Sequence, residues 1–290
     1  MYQLHFIPEF RSAMKIYKTS KGIVVEHKNK LYLASETDWD AFTNRTSLYN
    51  KVKDELQFMK QDPALVSVLE NNLLSPIGRQ EVWASGITYV RTRQARMDDS
   101  KLGSAFYASV YEAERPELFF KATAYRTVGP GDKVRIRKDS KWNVPEPELT
   151  LFICSEGTIE GYTIGNDVSS RDIEGENPLY LAQAKSYDAS ASIGPCLYVP
   201  KHSIDPDAMI QLEIISNDEN IFFGEISINR MKRKHTDLVE YLFKETSFIY
   251  GVYLMTGTGI VPPNVFSLRE GDEIRISIDG IGTLVNTVAI

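Results

Sequence analysis

Apolar positions in the first third of the chain fall into two textures. From Lys15 to Ala34 they come as short runs, Ile16, Ile23-Val24-Val25 and Leu31-Tyr32-Leu33. Ser20-Lys21-Gly22 and Lys28-Asn29-Lys30 separate them, and short runs bounded by turn residues predict strands. From Thr37 to Leu73 the spacing lengthens. Val52, Leu56 and Met59, then Leu65, Val68, Leu69 and Leu73, recur at helical intervals. Asp62-Pro63 suits a helix start, because proline is tolerated in a first turn. Leu74-Ser75-Pro76-Ile77-Gly78 breaks both textures and marks a boundary between a small N-terminal α+β domain, 1–75, and a larger unit, 76–290.

Beyond Glu81 the pattern turns to β. Strands are predicted at 82–87, 133–137, 149–153, 161–166, 196–199, 210–215 and 274–278, and helices at 91–98, 105–112 and 230–248. Many strands with few helices between them argue for a sandwich or roll, not a doubly wound sheet. The expected class is therefore α+β, mainly β. Gly131-Asp132-Lys133-Val134-Arg135-Ile136 echoes Gly271-Asp272-Glu273-Ile274-Arg275-Ile276, which reads as two similar turn-to-strand entries. Asp279-Gly280 is a favoured hairpin turn. The basic run Lys232-Arg233-Lys234 reads as the solvated face of the last helix.

Charge and composition narrow the function. The 290 residues carry 33 basic and 39 acidic side chains, a net charge of −6, which argues against a nucleic-acid partner. Cys154 and Cys196 sit in apolar surroundings without CxxC or zinc spacing and read as buried free thiols. The N-terminus lacks the pattern of a signal peptide, and no apolar run reaches the ~18 residues that span a bilayer. A cytoplasmic protein with no membrane partner is expected.

The four histidines, His5, His27, His202 and His235, lie beside no candidate nucleophile, and no nucleophile elbow or phosphate-cradling glycine motif is present. The informative stretch runs from Pro145 to Pro195. In Pro145-Glu146-Pro147-Glu148-Leu149, a strand would point both glutamates to one face, with Pro147 confined to an edge or a strand start. Taken alone, the pair reads sooner as an exposed acidic strand entrance. Gly161-Tyr162-Thr163-Ile164-Gly165-Asn166-Asp167 then ends a second strand on a third carboxylate. Three carboxylates without His or Cys match a hard divalent cation, Mg²⁺ first, with Mn²⁺ or Ca²⁺ tolerated. Lys185, among small and apolar neighbours, is a candidate buried lysine that acts as a base or binds a substrate carboxylate.

Taken together, Glu146-x-Glu148, Gly161-Tyr162-Thr163-Ile164-x-Asn166-Asp167-Val168-Ser169-x-Arg171-Asp172, Lys185, Gly194-Pro195 and Thr256-Gly257-Thr258 resemble the fumarylacetoacetate hydrolase superfamily, from about Val82 to the end. The resemblance implies a mixed β-sandwich roll, metal ligands at Glu146, Glu148 and Asp167, and an active-site lysine at Lys185. It also implies a homodimer or homotetramer. The superfamily hosts several reactions, so membership alone does not choose one. Its acylpyruvate hydrolases carry a water-activating His and Glu after a segment matched here by Gly86-Ile87-Thr88-Tyr89. Thr92 and Ala95 stand where that pair would fall.

Arg171–Lys185 and Arg115-Pro116-Glu117-Leu118-Phe119-Phe120-Lys121-Ala122 resemble instead the 2-keto-3-deoxy-arabinonate dehydratase branch, whose acting glutamate falls on Glu117. The expectation is a Mg²⁺-dependent dehydratase taking a small 2-keto acid, a 2-keto-3-deoxy-pentonate, to 2,5-dioxopentanoate. Lys185 and Glu117 would be catalytic, and Ser85, Gly86, Arg93 and Thr258 would bind substrate. The alternatives are a C–C bond hydrolase of an acylpyruvate or diketo acid, and a binding protein that kept the fold and lost the chemistry.

Overall fold

The structure is a computed structural model that describes residues 13–90 and 110–290. Arg93, Thr92, Ala95 and the predicted helix at 91–98 lie outside the described residues, as does most of the helix predicted at 105–112.

The N-terminal strands are β1 (Met14–Thr19), β2 (Gly22–His27) and β3 (Lys30–Leu33). Helices α1 (Trp39–Thr43), α2 (Leu48–Glu55) and α3 (Leu65–Asn71) follow, with the short strand β4 (Lys60–Gln61) between the last two. Next come β5 (Glu81–Ser85), β6 (Leu118–Thr123), β7 (Thr127–Val128), β8 (Lys133–Arg135), β9 (Asn143–Val144), β10 (Pro147–Ile153), β11 (Ile159–Asp167) and β12 (Ser169–Ser170). Helices α4 (Arg171–Glu176) and α5 (Leu181–Lys185) lead to β13 (Ala191–Val199), β14 (Met209–Ser216) and β15 (Glu219–Ser227). Helix α6 (His235–Leu242), β16 (Val252–Met255), β17 (Glu273–Ile278) and β18 (Gly282–Ala289) complete the chain.

The large sheet runs β4-β3-β2-β1-β13-β11-β10-β16-β5-β6, and a second sheet runs β15-β14-β17-β18-β8. Period-2 alternation explains how β10 serves two cores. Leu149, Leu151 and Ile153 face the second sheet and pack with Ile210, Leu212, Ile214, Ile274 and Ile276. Phe152 faces the other way, with Tyr253 and Met255, against Trp39, Phe42, Leu48 and Val52 of α1 and α2. Each such side chain, fully buried, stabilises by roughly 1.5–3 kcal/mol, so truncating Phe152 to Ala would cost about 3–5 kcal/mol. The face that carries Phe152 also carries Glu146 and Glu148 further along.

The mainly β class is as expected, and each predicted strand has a counterpart. Strands β6, β15 and β16 had not been predicted. Val252–Met255 is a four-residue apolar run, buried throughout, with no alternation to announce it. The N-terminal hairpin joins the large sheet: Met14 pairs with Val199, Lys15 with Tyr198 and Ile16 with Leu197. Asp40 of α1, buried, accepts from Arg79 Nε (2.5 Å) and Gln80 Nε2 (2.6 Å), tying α1 to the entrance of β5.

The helix predicted over 230–248 is shorter, His235–Leu242. The basic run lies before it and is not a helix face. Its backbone is committed elsewhere: Met231 bridges Tyr89, and Lys232 N donates to Thr88 O at 2.9 Å. The echoed Gly-Asp segments prove to be one local design used twice. Asp132 accepts from Gly129 N and Asp272 from Arg269 N, both at 2.8 Å, and each following glycine-led turn enters a neighbour of β18. Both cysteines are free and buried, and burial pushes the Cys196 thiol up to about 12. No helix among the described residues is long and apolar enough to cross a membrane.

Candidate active site

The β10–β11 ladder builds the centre. Pro147 opposes Asn166 and Glu148 opposes Gly165, and Asp167 N donates to Glu146 O at 3.0 Å. Residues directly opposite one another share a face. Glu146, Glu148 and Asp167 therefore emerge together, and their carboxylate oxygens lie within 4.8 Å of one another. Pro147 is tolerated because it opens β10, where the strand has a neighbour on one side only. β16 joins from Thr150 onward. All three carboxylates are buried, with exposures of 4, 1 and 1% for Glu146, Glu148 and Asp167, which rejects the exposed acidic entrance.

Cations answer this charge. Lys185, at the end of α5 and 2% exposed, donates from Nζ to Glu146 (2.7 Å), Asp167 (3.1 Å) and Ser169 Oγ (2.6 Å). Arg171 reaches Glu146 at 3.2 Å. Lys121 of β6, passed over in the sequence, is fully buried. Its Nζ lies 2.5 Å from Asp167 Oδ1 and donates to Val168 O (3.0 Å) and to Lys185 O. An ammonium has three protons, and here each has an acceptor. Tyr187 lies against it, ring centre 5.7 Å away. Burial lowers the pKa of Lys121 from its ordinary value. The only available signal was a lysine inside an apolar strand, Leu118-Phe119-Phe120-Lys121-Ala122.

Glu148 is held differently, by Gly257 N at 2.6 Å. Burial, and then the charges of Asp167 and Glu146, push its carboxyl well above the ordinary range. A set of buried oxygen donors this close, with one carboxyl strained toward neutrality, fits a small hard cation.

Glu146 and Glu148 open on a cavity of about 370 Å³. Ser85, Gly86, Glu117, Lys185 and Thr258 line it, together with Arg115 and Glu174, which sequence reading had not singled out. The Ser85 hydroxyl is buried without a partner among the described residues. A Cβ on Gly86 would overlap the Glu117 carboxylate, so this side chain keeps its place only against a glycine. Ile87 holds φ +45°, a strained conformation for a β-branched residue, and Gly257 holds φ +91° against Thr88 and Ser85. Thr88 Oγ1 donates to Thr256 O at 2.7 Å, joining the two loops. Of the sequence-predicted set, eight residues thus converge, and Arg93 is outside the described residues.

The model of the fumarylacetoacetate (FAA) hydrolase C-terminal domain matches residues 82–289. The chain belongs to the fumarylacetoacetate hydrolase family. Within it, the chain is 46% identical over 214 residues to a probable 2-keto-3-deoxyxylonate dehydratase of Haloferax volcanii, covering 73% of each chain. It is 41% identical over 220 residues to the 2-dehydro-3-deoxy-D-arabinonate dehydratase of Saccharolobus solfataricus, covering 74% of each. A solved structure of 2-keto-3-deoxy-D-arabinonate dehydratase complexed with magnesium and 2,5-dioxopentanoate superposes with a TM-score of 0.82. It is 33% identical, over 95% of this chain and 98% of that one.

Proposed function

We propose that this member of the family is a Mg²⁺-dependent hydro-lyase that converts a 2-keto-3-deoxy-pentonate to 2,5-dioxopentanoate and water. The observation that carries the reading is one arrangement: a buried carboxylate triad, a buried lysine on it, and Glu117 across the same cavity. The dehydratase names and the magnesium complex of the relatives support it.

Glu146, Glu148 and Asp167 would hold the cation, which supplies Lewis acidity toward the oxygens of a 2-keto acid. Lys185 Nζ, as the neutral amine that no longer donates to both Glu146 and Asp167, takes the C3 proton of the substrate. Glu117, resting on the Gly86 backbone, gives a proton to the departing C4 hydroxyl, which leaves as water and gives a C3–C4 double bond. Loss of a C5 proton with protonation at C3 moves the double bond to C4–C5. This enol takes a proton at C4 and loses its hydroxyl proton to give the aldehyde. Ser85, Gly86 and Thr258 position the substrate through a buried hydroxyl, a bare backbone and a buried side chain. Buried surroundings exclude bulk water and strengthen each of these interactions. We assign 1–75 to an accessory unit, whose helices α1 and α2 back the sheet face carrying the triad, and 76–290 to the catalytic unit. The reading includes a cytoplasmic homodimer or homotetramer.

The deciding experiment is an assay with 2-keto-3-deoxy-arabinonate, the product coupled to an added aldehyde dehydrogenase. Aldehyde that EDTA stops and Mg²⁺ restores is the expected result. Cleavage of an acylpyruvate in its place would move the chain to the C–C hydrolases.

A further inference from the structure

Lys232 and Arg233 take no part in the chemistry above, yet they are not simply solvated. On one side, Lys232 N donates to Thr88 O and Met231 bridges Tyr89, directly after the cavity residues Ser85-Gly86-Ile87. On the other, Lys232 Nζ donates to Tyr111 O (3.0 Å), pairs with Glu112 (2.7 Å) and lies 4.1 Å from the Tyr111 ring centre. Arg233 donates from Nη2 to Ala113 O (2.7 Å) and from Nη1 to Glu114 O (3.1 Å). Behind them, Tyr241 of α6 donates to Glu114 at 3.3 Å, and the Arg115 guanidinium sits 5.2 Å from the Tyr241 ring centre.

Val110, Ala113, Arg115, Pro116 and Glu117 line the cavity on this side. We propose that residues 231–233 are a strap clamping the two cavity walls, 85–89 and 110–117, to each other. Lys232 and Arg233 are its positioning residues, acting through the wall on Glu117.

The physical case rests on what the donors hold. Ala113 and Glu114 lie outside any strand ladder, so their carbonyls depend on a side chain or on water. A planar guanidinium spanning two successive carbonyls fixes the orientation of both peptide planes, which a flexible ammonium does not. These contacts are partly open to solvent, where an ion pair contributes little to global stability. The strap therefore acts on the shape of the cavity and leaves the fold's stability nearly unchanged. A misplacement of ~1 Å at a catalytic group can cost on the order of 100-fold in rate.

The inference rests on the dehydratase reading for its kinetic arm and is independent of it for its structural arm. The test compares the parent with Lys232→Met/Arg233→Met and with Arg233→Lys. Hydrogen exchange of the 110–117 amides, measured in EDTA, is expected to be about tenfold faster in the double variant. The Mg²⁺ dissociation constant, by calorimetry, stays within about twofold, while kcat/KM falls about 30-fold with KM raised and kcat lowered. Arg233→Lys, which keeps one carbonyl contact but loses the fork, falls between the two, with kcat/KM about tenfold below the parent. A merely structural residue would lower the active fraction and leave KM alone. Unchanged exchange overturns the strap. Faster exchange with unchanged kcat/KM overturns the positioning role, as does a parallel loss of Mg²⁺ affinity. A parent without turnover would sink the dehydratase reading, and the exchange result alone would then decide for or against the strap.

Discussion

Glu146, Glu148 and Asp167 sit on two hydrogen-bonded strands whose register is fixed residue by residue. Glu117, Gly86 and Ile87 sit where the chain leaves β5 and enters β6. The first region is dry and tied by buried ion pairs, with Lys121 and Lys185 each spending their protons on named acceptors. The second depends on a strained isoleucine, a glycine whose bare Cα leaves room for the Glu117 carboxylate, and side chains reaching in from a half-exposed strap. A register slip of one residue would turn every triad carboxylate to the wrong face, so the ladder cannot drift. The wall keeps the bond from Gly86 N to Glu117 O (3.2 Å), but its loop residues can be reshaped by substitutions that leave the triad untouched. The division suggests where one fold keeps its cation chemistry and where it varies its substrate.

The largest expected effect comes from Lys185→Ala. It removes the proposed base, so turnover should fall about 10³- to 10⁴-fold. Mg²⁺ binding, measured by calorimetry, should be nearly intact, because the three carboxylates remain. Retained turnover would remove Lys185 from the mechanism. Lys121→Met attacks the same region from beneath. It leaves Asp167 and two carbonyls without their donor in a fully buried place, and breaking a buried pair costs about 3–5 kcal/mol. Urea unfolding would read this as a lower midpoint with an unchanged slope. A midpoint equal to the parent's would mean that water can replace the ammonium there.

Gly86→Ala tests the wall while sparing the triad. Its Cβ would displace the Glu117 carboxylate, so kcat/KM should fall on the order of 100-fold with Mg²⁺ affinity unchanged. Equal losses in both quantities would show that triad and wall are one unit, and the comparison would collapse.

The same division governs how much could be read from the sequence. Period-2 alternation carried Glu146 and Glu148 to one face, and Asp167 ends the adjoining run, so the triad was legible in local pattern. Lys185 and Glu117 were legible through the resemblance. Lys121 was not, since a lysine in Phe119-Phe120-Lys121-Ala122 reads locally as an interruption, and its acceptors lie 46 or more residues away along the chain. Lys232-Arg233-Lys234 was misread for a related reason. Helical periodicity from Leu238 onward was extended backward across residues whose backbone bonds to Thr88, a long-range contact that no local pattern records. The N-terminal hairpin read as strands, but its pairing with β13 spans some 180 residues and was equally hidden.

The smallest effect lies away from both regions, at His235. Burial lowers its pKa from 6.5 to about 4, and its ring centre lies 6.4 Å from that of Tyr162. The unfolded chain therefore binds a proton at a higher pH than the native one does. Stability from this group is full above pH 6.5 and is lost as the pH falls toward 4. The shift sets a ceiling of about 3 kcal/mol, and with the ring partly open to solvent about 1 kcal/mol is expected. Urea midpoints at pH 7 and pH 5 should separate by less in His235→Phe than in the parent. The Mg²⁺ affinity of that variant at pH 7 should equal the parent's, since the ring packs by Tyr162, on the face of β11 turned away from the triad. An equal pH response in the two proteins would place the acid sensitivity in the carboxylate triad, and the triad would then be the weaker of the two regions below neutral pH.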